Sequence, residues 1–324
     1  MSKEIEQLVS SLDQVKTEIC KRIIGQDEVV EKVLIALFAG GNVLLESVPG
    51  LGKTELIKSV GQALDLDFSR IQFTPDLMPT DIVGTHLIQT DAHGQRTFEF
   101  QKGPAFTNLL LADEINRATP KTQSALLQAM QERQISIGTE TFQLDQPYFV
   151  MATQNPIEME GTYPLPEAQL DRFLFKTIVE YPKFDDLSKI IEMTTEGKTV
   201  EVEPVLTAEK VLEIRALCSC VPISDEVRDY GLKIIMGTHG NSEHGTVTAK
   251  KYLNYGSSPR GAQGLIGAAK VRAAFRGRGN VSFEDIQVLA KDVLRHRIKL
   301  NFEGISQGYS PDKIIEMILD EIEV

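Results

Sequence analysis

The sequence predicts an α/β chain, in which a parallel-sheet core precedes a helical region. Short aliphatic runs at Val43–Leu45, Leu109–Leu111 and Tyr148–Ala152 have the length and two-sided apolarity of strands buried on both faces. Helix-length amphipathic segments alternate with them, the pattern of parallel strands joined by crossovers. From Tyr181 onward the strand signals stop and apolar residues recur at helical spacing.

With 324 residues, 42% of them hydrophobic, the chain can bury a sizeable core, and two domains are expected, 1–182 and 183–324. Acidic side chains outnumber basic ones 46 to 34, a net charge of −12, so phosphate backbones are repelled and nucleic acid is not the expected partner. The first twenty residues lack the apolar core of a signal peptide, and no run of about 18 apolar residues occurs, so a cytoplasmic location is expected. Cys20, Cys218 and Cys220 are too few and uneven for a disulfide framework. Cys218-x-Cys220 lacks the second ligand pair that tetrahedral zinc needs, with only His239 and His244 nearby in sequence, and reads as small side chains near a helix end. His86, His93 and His296 read as surface or loop residues.

Elements follow in order. Lys3–Arg22 carries Ile5, Leu8, Leu12, Val15 and Ile19 at helical spacing. A turn at Gly25 leads to a helix from Asp27 to Ala39, stopped by Gly40-Gly41 before the first strand. The helix Lys53–Leu64 precedes a strand at Asp67–Phe73. Turn residues crowd Thr74–Phe106, where His86–Thr90 and Arg96–Phe100 read as a hairpin about Asp91–Gly94. After a helix at Pro120–Arg133, Ile135–Gly138 and Phe142–Leu144 form a second hairpin across Thr139–Thr141. Later helices are expected at Leu187–Thr195, Ala208–Cys218, Asp225–Met236, Arg260–Ala274 and Phe283–Arg297, with a serine-capped one starting near Pro311. Lys270, Arg272, Arg276 and Arg278 read as a solvated helix face or a subunit contact.

The chemistry begins at Val43–Thr54, VLLESVPGLGKT, a phosphate-binding loop after a strand. Gly50 and Gly52 let backbone N–H groups turn toward a polyphosphate, and the helix that follows presents its positive end. Lys53 is placed against the β- and γ-phosphates, and the Thr54 hydroxyl against magnesium. Ser47 stands where the full pattern has glycine. The second signal is LLLADE: Asp113, at a strand end, can hold magnesium opposite Thr54, and Glu114 can orient and deprotonate a water. A third strand ends at Asn155, whose amide can bond both the γ-phosphate and that water. Each feature alone is ordinary turn chemistry; together they point to nucleotide hydrolysis.

LLLADEINRATPKTQSALLQAMQE and ATQNPIEMEGTYPLPEAQLDRFLF closely resemble the MoxR group of AAA+ ATPases, over Ile24 to about Arg260. The resemblance implies a P-loop core of five parallel strands with two hairpin inserts, an all-α lid, and a ring, commonly hexameric, with ATP and Mg²⁺ at subunit junctions. It implies nucleotide contacts along Ser47, Val48, Pro49, Gly50, Leu51, Gly52, Lys53, Thr54 and Glu55, and at Ile24 and Gly25. Asn155 matches the first sensor, Arg172 in LDRF an arginine finger reaching the neighbouring subunit's site, and Arg260 in SSPRG a second sensor acting on its own subunit's nucleotide. At the next position the family pattern more often has alanine than Gly261. Partners with von Willebrand factor A domains are implied, and with none fused to this chain the work would fall on separate proteins. Two other readings use the same residues: a nucleotide-gated scaffold with slow turnover, and a chelatase-type motor for metal insertion.

Overall fold

The computed structural model describes residues 3–90, 96–157, 161–195 and 200–323. Its strands are β1 (Val43–Glu46), β2 (Phe68–Gln72), β3 (Gly84–Thr90), β4 (Arg96–Lys102), β5 (Leu109–Asp113), β6 (Gln134–Ile137), β7 (Glu140–Gln143), β8 (Phe149–Gln154), β9 (Phe175–Ile178), β10 (Leu253–Tyr255) and β11 (Lys299–Leu300). Five of them form one parallel sheet in the order β2-β5-β8-β1-β9.

The aliphatic runs are the three inner strands. Alternate residues of each point to opposite faces and enter two separate apolar clusters. Leu45, Leu111 and Met151 join Leu56, Ile57 and Val60 of the helix Lys53–Ala63. On the other face, Leu44, Leu110 and Val150 meet Leu126 and Leu127 of the helix Pro120–Glu132. Each such side chain, taken fully out of water, contributes roughly 1.5–3 kcal/mol.

The first cluster continues without a break into the helical region, through Leu265, Leu289 and Ile318. That region holds the helices Ala208–Ser219, Asp225–Gly237, Pro259–Phe275, Phe283–Leu294 and Pro311–Glu321, with the short antiparallel pair β10–β11 among them. The helix Phe283–Leu294 stops three residues before the expected Arg297, because Arg295, His296 and Arg297 turn onto the sheet's edge. Arg295 donates to the Lys176 carbonyl at 2.8 Å, and His296 Nε2 lies 3.1 Å from the Phe173 carbonyl.

The hairpins β3–β4 and β6–β7 form and touch, with the Phe100 and Phe142 rings stacked at 4.5 Å. The expected turn at Asp91–Gly94 lies outside the described residues, as does His93. In the second hairpin β7 begins at Glu140, so the turn is Gly138-Thr139; Gly138 takes φ +61°, which suits a two-residue connection.

Two expectations are corrected. The basic cluster is not one solvated face: Arg272 is buried and paired with Asp285 at 2.5 Å, half-buried Arg278 binds the same carboxylate, exposed Arg276 reaches Glu31, and Lys270 donates to the Ser219 carbonyl. The acidic partners come from other turns, which a local reading of charge cannot supply. His296 is buried rather than superficial, neutral because burial and the nearby Arg297 charge hold its pKa well below 6.5.

Candidate active site

The phosphate-loop residues leave β1 at Glu46, which pairs with Gln154 of β8. Ser47 is buried and its N–H donates to the Gln154 carbonyl at 3.1 Å, tying the loop's start to the sheet. At the far end the Leu51 carbonyl accepts from Gln26 Nε2 at 2.9 Å, and Leu51 itself is buried. Between these moorings Gly50 and Gly52 take φ of +83° and +74°, conformations that cost an L-residue roughly 1–2 kcal/mol. A Cβ on either would meet no atom within 4 Å, so the loop's open face has room for a ligand. Gly52 caps the helix Lys53–Ala63 and no side chain occupies its first N–H groups. Val48 packs partly on the core, Pro49 is exposed, and Lys53 and Thr54 are half-exposed at the helix start. Glu55 faces away into an ion pair with Arg22 at 2.5 Å. Ile24 and Gly25 adjoin Gln26 and so border the loop; Gly25 takes φ +73°, and a Cβ there would lie 2.8 Å from Asp186.

β5 delivers Asp113 and Glu114 beside this loop, with β8 between the two strands. Asp113 is buried, accepts from Thr153 Oγ1 at 2.7 Å and pairs with Arg70 at 2.7 Å. Glu114 stands at φ +56°, a left-handed conformation unusual for a side-chain-bearing residue. Its N–H donates to Thr153 Oγ1 at 2.8 Å, and its carboxylate accepts from Gln72 at 2.8 Å and Arg117 at 3.2 Å. The Thr153 hydroxyl therefore fixes both acidic residues. Asn155, one step past the Glu46–Gln154 pair, is buried with its Oδ1 accepting from the Ile157 N–H at 3.1 Å.

Lys53, Thr54, Asp113, Glu114 and Asn155 thus gather at adjoining strand ends. Arg172 and Arg260 do not join them: among the described residues no hydrogen bond or ion pair links either to that group. Arg172 instead donates to the Leu127 carbonyl at 2.9 Å, on the helix that covers the other face of the sheet, and its buried Nε has no partner. Arg260 is exposed in the first turn of Pro259–Phe275. Gly261, where the pattern departs, has a local reason: a Cβ there would fall 2.0 Å from Ser257 Oγ and 3.1 Å from Arg297 Cδ.

Sequence reasoning missed Gln26, Arg70, Gln72 and Thr153. Arg70 and Gln72 share one face of β2 by simple alternation, beside the end of β5, and that spacing was a usable signal. Gln26 and Thr153 had none.

The donor set suits magnesium. Thr54 and Asp113 offer hard oxygens, and the described residues hold no group of three or more His, Cys, Asp or Glu that would form an all-protein cage. Magnesium retains waters and takes few protein ligands, so phosphate oxygens would complete its shell. Cys218 is buried and Cys220 exposed, and among the described residues neither belongs to a metal-binding group.

A glycine-rich loop and an acidic pair at adjoining carboxyl ends of a parallel sheet define a P-loop nucleoside triphosphatase core. The sequence model described as "ATPase family associated with various cellular activities (AAA)" matches residues 42–175, and that of the AAA lid domain matches 247–318. Chaperone MoxR1 of Mycobacterium tuberculosis is 41% identical over 97% of this chain and 82% of its own. The uncharacterized protein YeaC of Bacillus subtilis is 39% identical over 98% and 96%. A crystal structure of a candidate ATPase from Cytophaga hutchinsonii superposes with a TM-score of 0.92 at 41% identity, covering 99% of this chain and 97% of that one. The chain belongs to the MoxR family of AAA+ ATPases.

Proposed function

We propose that this ATPase hydrolyses ATP with Mg²⁺ at sites shared between neighbouring subunits of a ring, commonly hexameric in the family, and that turnover remodels, assembles or matures client protein complexes. The observation that carries this reading is the separation of Arg172 from the acidic pair. Five residues suited to bind and cleave a triphosphate lie at adjoining strand ends, while the arginine that would neutralise charge on the γ-phosphate is held by the Leu127 carbonyl, on a helix packed against the sheet face away from the helix Lys53–Ala63. Such a guanidinium serves a neighbour's site more readily than its own.

In this reading the loop N–H groups and Lys53 bind the phosphates. Thr54 and Asp113 would hold the cation, which when bound would supply charge neutralisation at the phosphate oxygens. Glu114 takes the proton from the attacking water, Asn155 orients that water, and Arg260 senses the nucleotide from the lid. The division at about residue 182 separates the nucleotide-binding part from that lid. Partners with von Willebrand factor A domains and a cytoplasmic location belong to the same proposal, and the chaperone name of the Mycobacterium tuberculosis relative supports a client-directed role. Among the described residues no helix is long and apolar enough to cross a membrane.

The test compares fluorescent-ATP binding and Mg²⁺-dependent turnover in Lys53→Ala and Glu114→Gln. Lys53→Ala should lose binding; Glu114→Gln should keep it while turnover falls roughly 10²- to 10⁴-fold. Full turnover in Glu114→Gln would contradict the assigned roles.

A further inference from the structure

Ser258 is the N-cap residue of the helix Pro259–Phe275, yet its hydroxyl does not cap that helix. Thr207, Ser224, Thr246 and Ser310, at the equivalent positions of other helices in this region, each accept from a first-turn N–H of their own helix. The Ser258 hydroxyl turns away and donates to Asp171, with both carboxylate oxygens at 2.9 Å. Asp171 immediately precedes Arg172, and Arg260 lies two residues beyond Ser258.

A second strut runs beside the first. Arg297 is buried, and its Nε donates to the same Asp171 carboxylate at 2.8 Å. Its remaining N–H groups donate to the carbonyls of Asp171 at 3.1 Å, Phe173 at 2.7 Å, Leu174 at 3.1 Å, and Val293. The backbone on either side of Arg172 is thereby pinned by one lid guanidinium. The same Arg297 side chain rests against Gly261, in the turn that carries Arg260. A cleft of about 830 Å³, bordered by Asp171, Met236, Tyr255, Ser258 and Arg297, adjoins these contacts and leaves room for the lid turn and segment 171–174 to shift together.

We propose that Ser258, with Arg297 behind it, is a positioning link that passes the nucleotide state sensed by Arg260 to Arg172, the residue offered to the next subunit. The inference rests on the roles proposed above for those two arginines. Physically, the lid turn cannot move without carrying the Asp171 carboxylate, because charge-assisted hydrogen bonds resist stretching more than neutral ones. Movement of Asp171 reorients the adjoining Arg172. Each site would then report its occupancy to its neighbour, and turnover would be cooperative in ATP.

The experiment uses the full-length assembled protein with Ser258→Ala, Ser258→Thr and Arg172→Ala, measuring fluorescent-ATP affinity, kcat, the Hill coefficient for ATP and the melting temperature. Ser258→Ala should keep its nucleotide affinity, lose no more than about 2–6 °C in melting temperature, lose roughly ten-fold in kcat, the scale of one hydrogen bond to a charged group, and show a Hill coefficient falling toward one. Ser258→Thr, which retains the hydroxyl, should restore both. An unchanged kcat and Hill coefficient in Ser258→Ala, alongside a collapsed Arg172→Ala, overturns the link alone. A loss of nucleotide affinity in Ser258→Ala overturns it too, since the hydroxyl would then serve its own site. Undiminished turnover in Arg172→Ala removes the finger itself and the link with it.

Discussion

The Arg70 guanidinium lies 2.7 Å from the Asp113 carboxylate, and two residues along the same strand Gln72 holds Glu114 at 2.8 Å. Both acidic side chains are therefore engaged by β2. A divalent cation held at Asp113 would compete with Arg70 for Oδ2. Because Arg70 is nearly half exposed, the pair is worth about 1 kcal/mol at most. Arg70→Gln should lower the Mg²⁺ concentration for half-maximal turnover by up to about five-fold, read from a Mg²⁺ titration. A higher requirement would show that Arg70 assists the cation.

Thr153 serves both acidic residues with one hydroxyl, accepting from Glu114 and donating to Asp113. Thr153→Val keeps the shape and removes that hydroxyl. It leaves a partly buried N–H without its acceptor and the buried Asp113 without that donor, so a cost of about 1–3 kcal/mol in chemical denaturation is expected, together with reduced turnover. Wild-type stability would mean that the Glu114 turn is held by other contacts.

Two glycines of one helix make a matched pair. Gly261→Ala places a methyl against Ser257 and Arg297 and should destabilise by about 1–3 kcal/mol. Gly267, in the same helix, has nothing within 4 Å of its absent Cβ, and Gly267→Ala should stabilise by up to about 1 kcal/mol through helix propensity. Thermal melts of the two should move in opposite directions.

His296 gives a pH dependence of known sign. Its folded pKa is depressed below 6.5, first by burial and then by the charges of Arg297, Lys176 and Arg295. The unfolded chain therefore binds this proton more readily. Its contribution to stability is present above pH 6.5 and is lost as pH falls from 6.5 toward the folded value, at about 1.4 kcal/mol per pH unit. Urea unfolding between pH 7.5 and 5.5 should show this slope, and His296→Gln should flatten it. An equal slope in both proteins would place the titration elsewhere.

The inner strands and the phosphate loop were legible because their chemistry is local. Aliphatic runs such as Leu109–Leu111, short and flanked by turn residues, read as buried strands, and glycines at 50 and 52 are required by their own backbone angles. The edge strand β9 was not read from its residues, since Phe-Lys-Thr-Ile has one face against the core and one in water. What escaped altogether is long-range. Thr153 to Asp113, Gln72 to Glu114 and Arg297 to Asp171 join residues about 40, 42 and 126 positions apart. No local pattern announces such pairs, and the basic cluster from Lys270 to Arg278 departs from its sequence reading for the same reason: Arg272 finds its carboxylates on the next helix.

ATP turnover per subunit, measured against protein concentration with Arg172→Ala alongside, decides whether the active site is shared between subunits. A shared site predicts that specific activity rises with concentration and falls by about 10³ or more in Arg172→Ala, while ATP binding persists. Concentration-independent turnover that survives Arg172→Ala would show that each subunit hydrolyses alone.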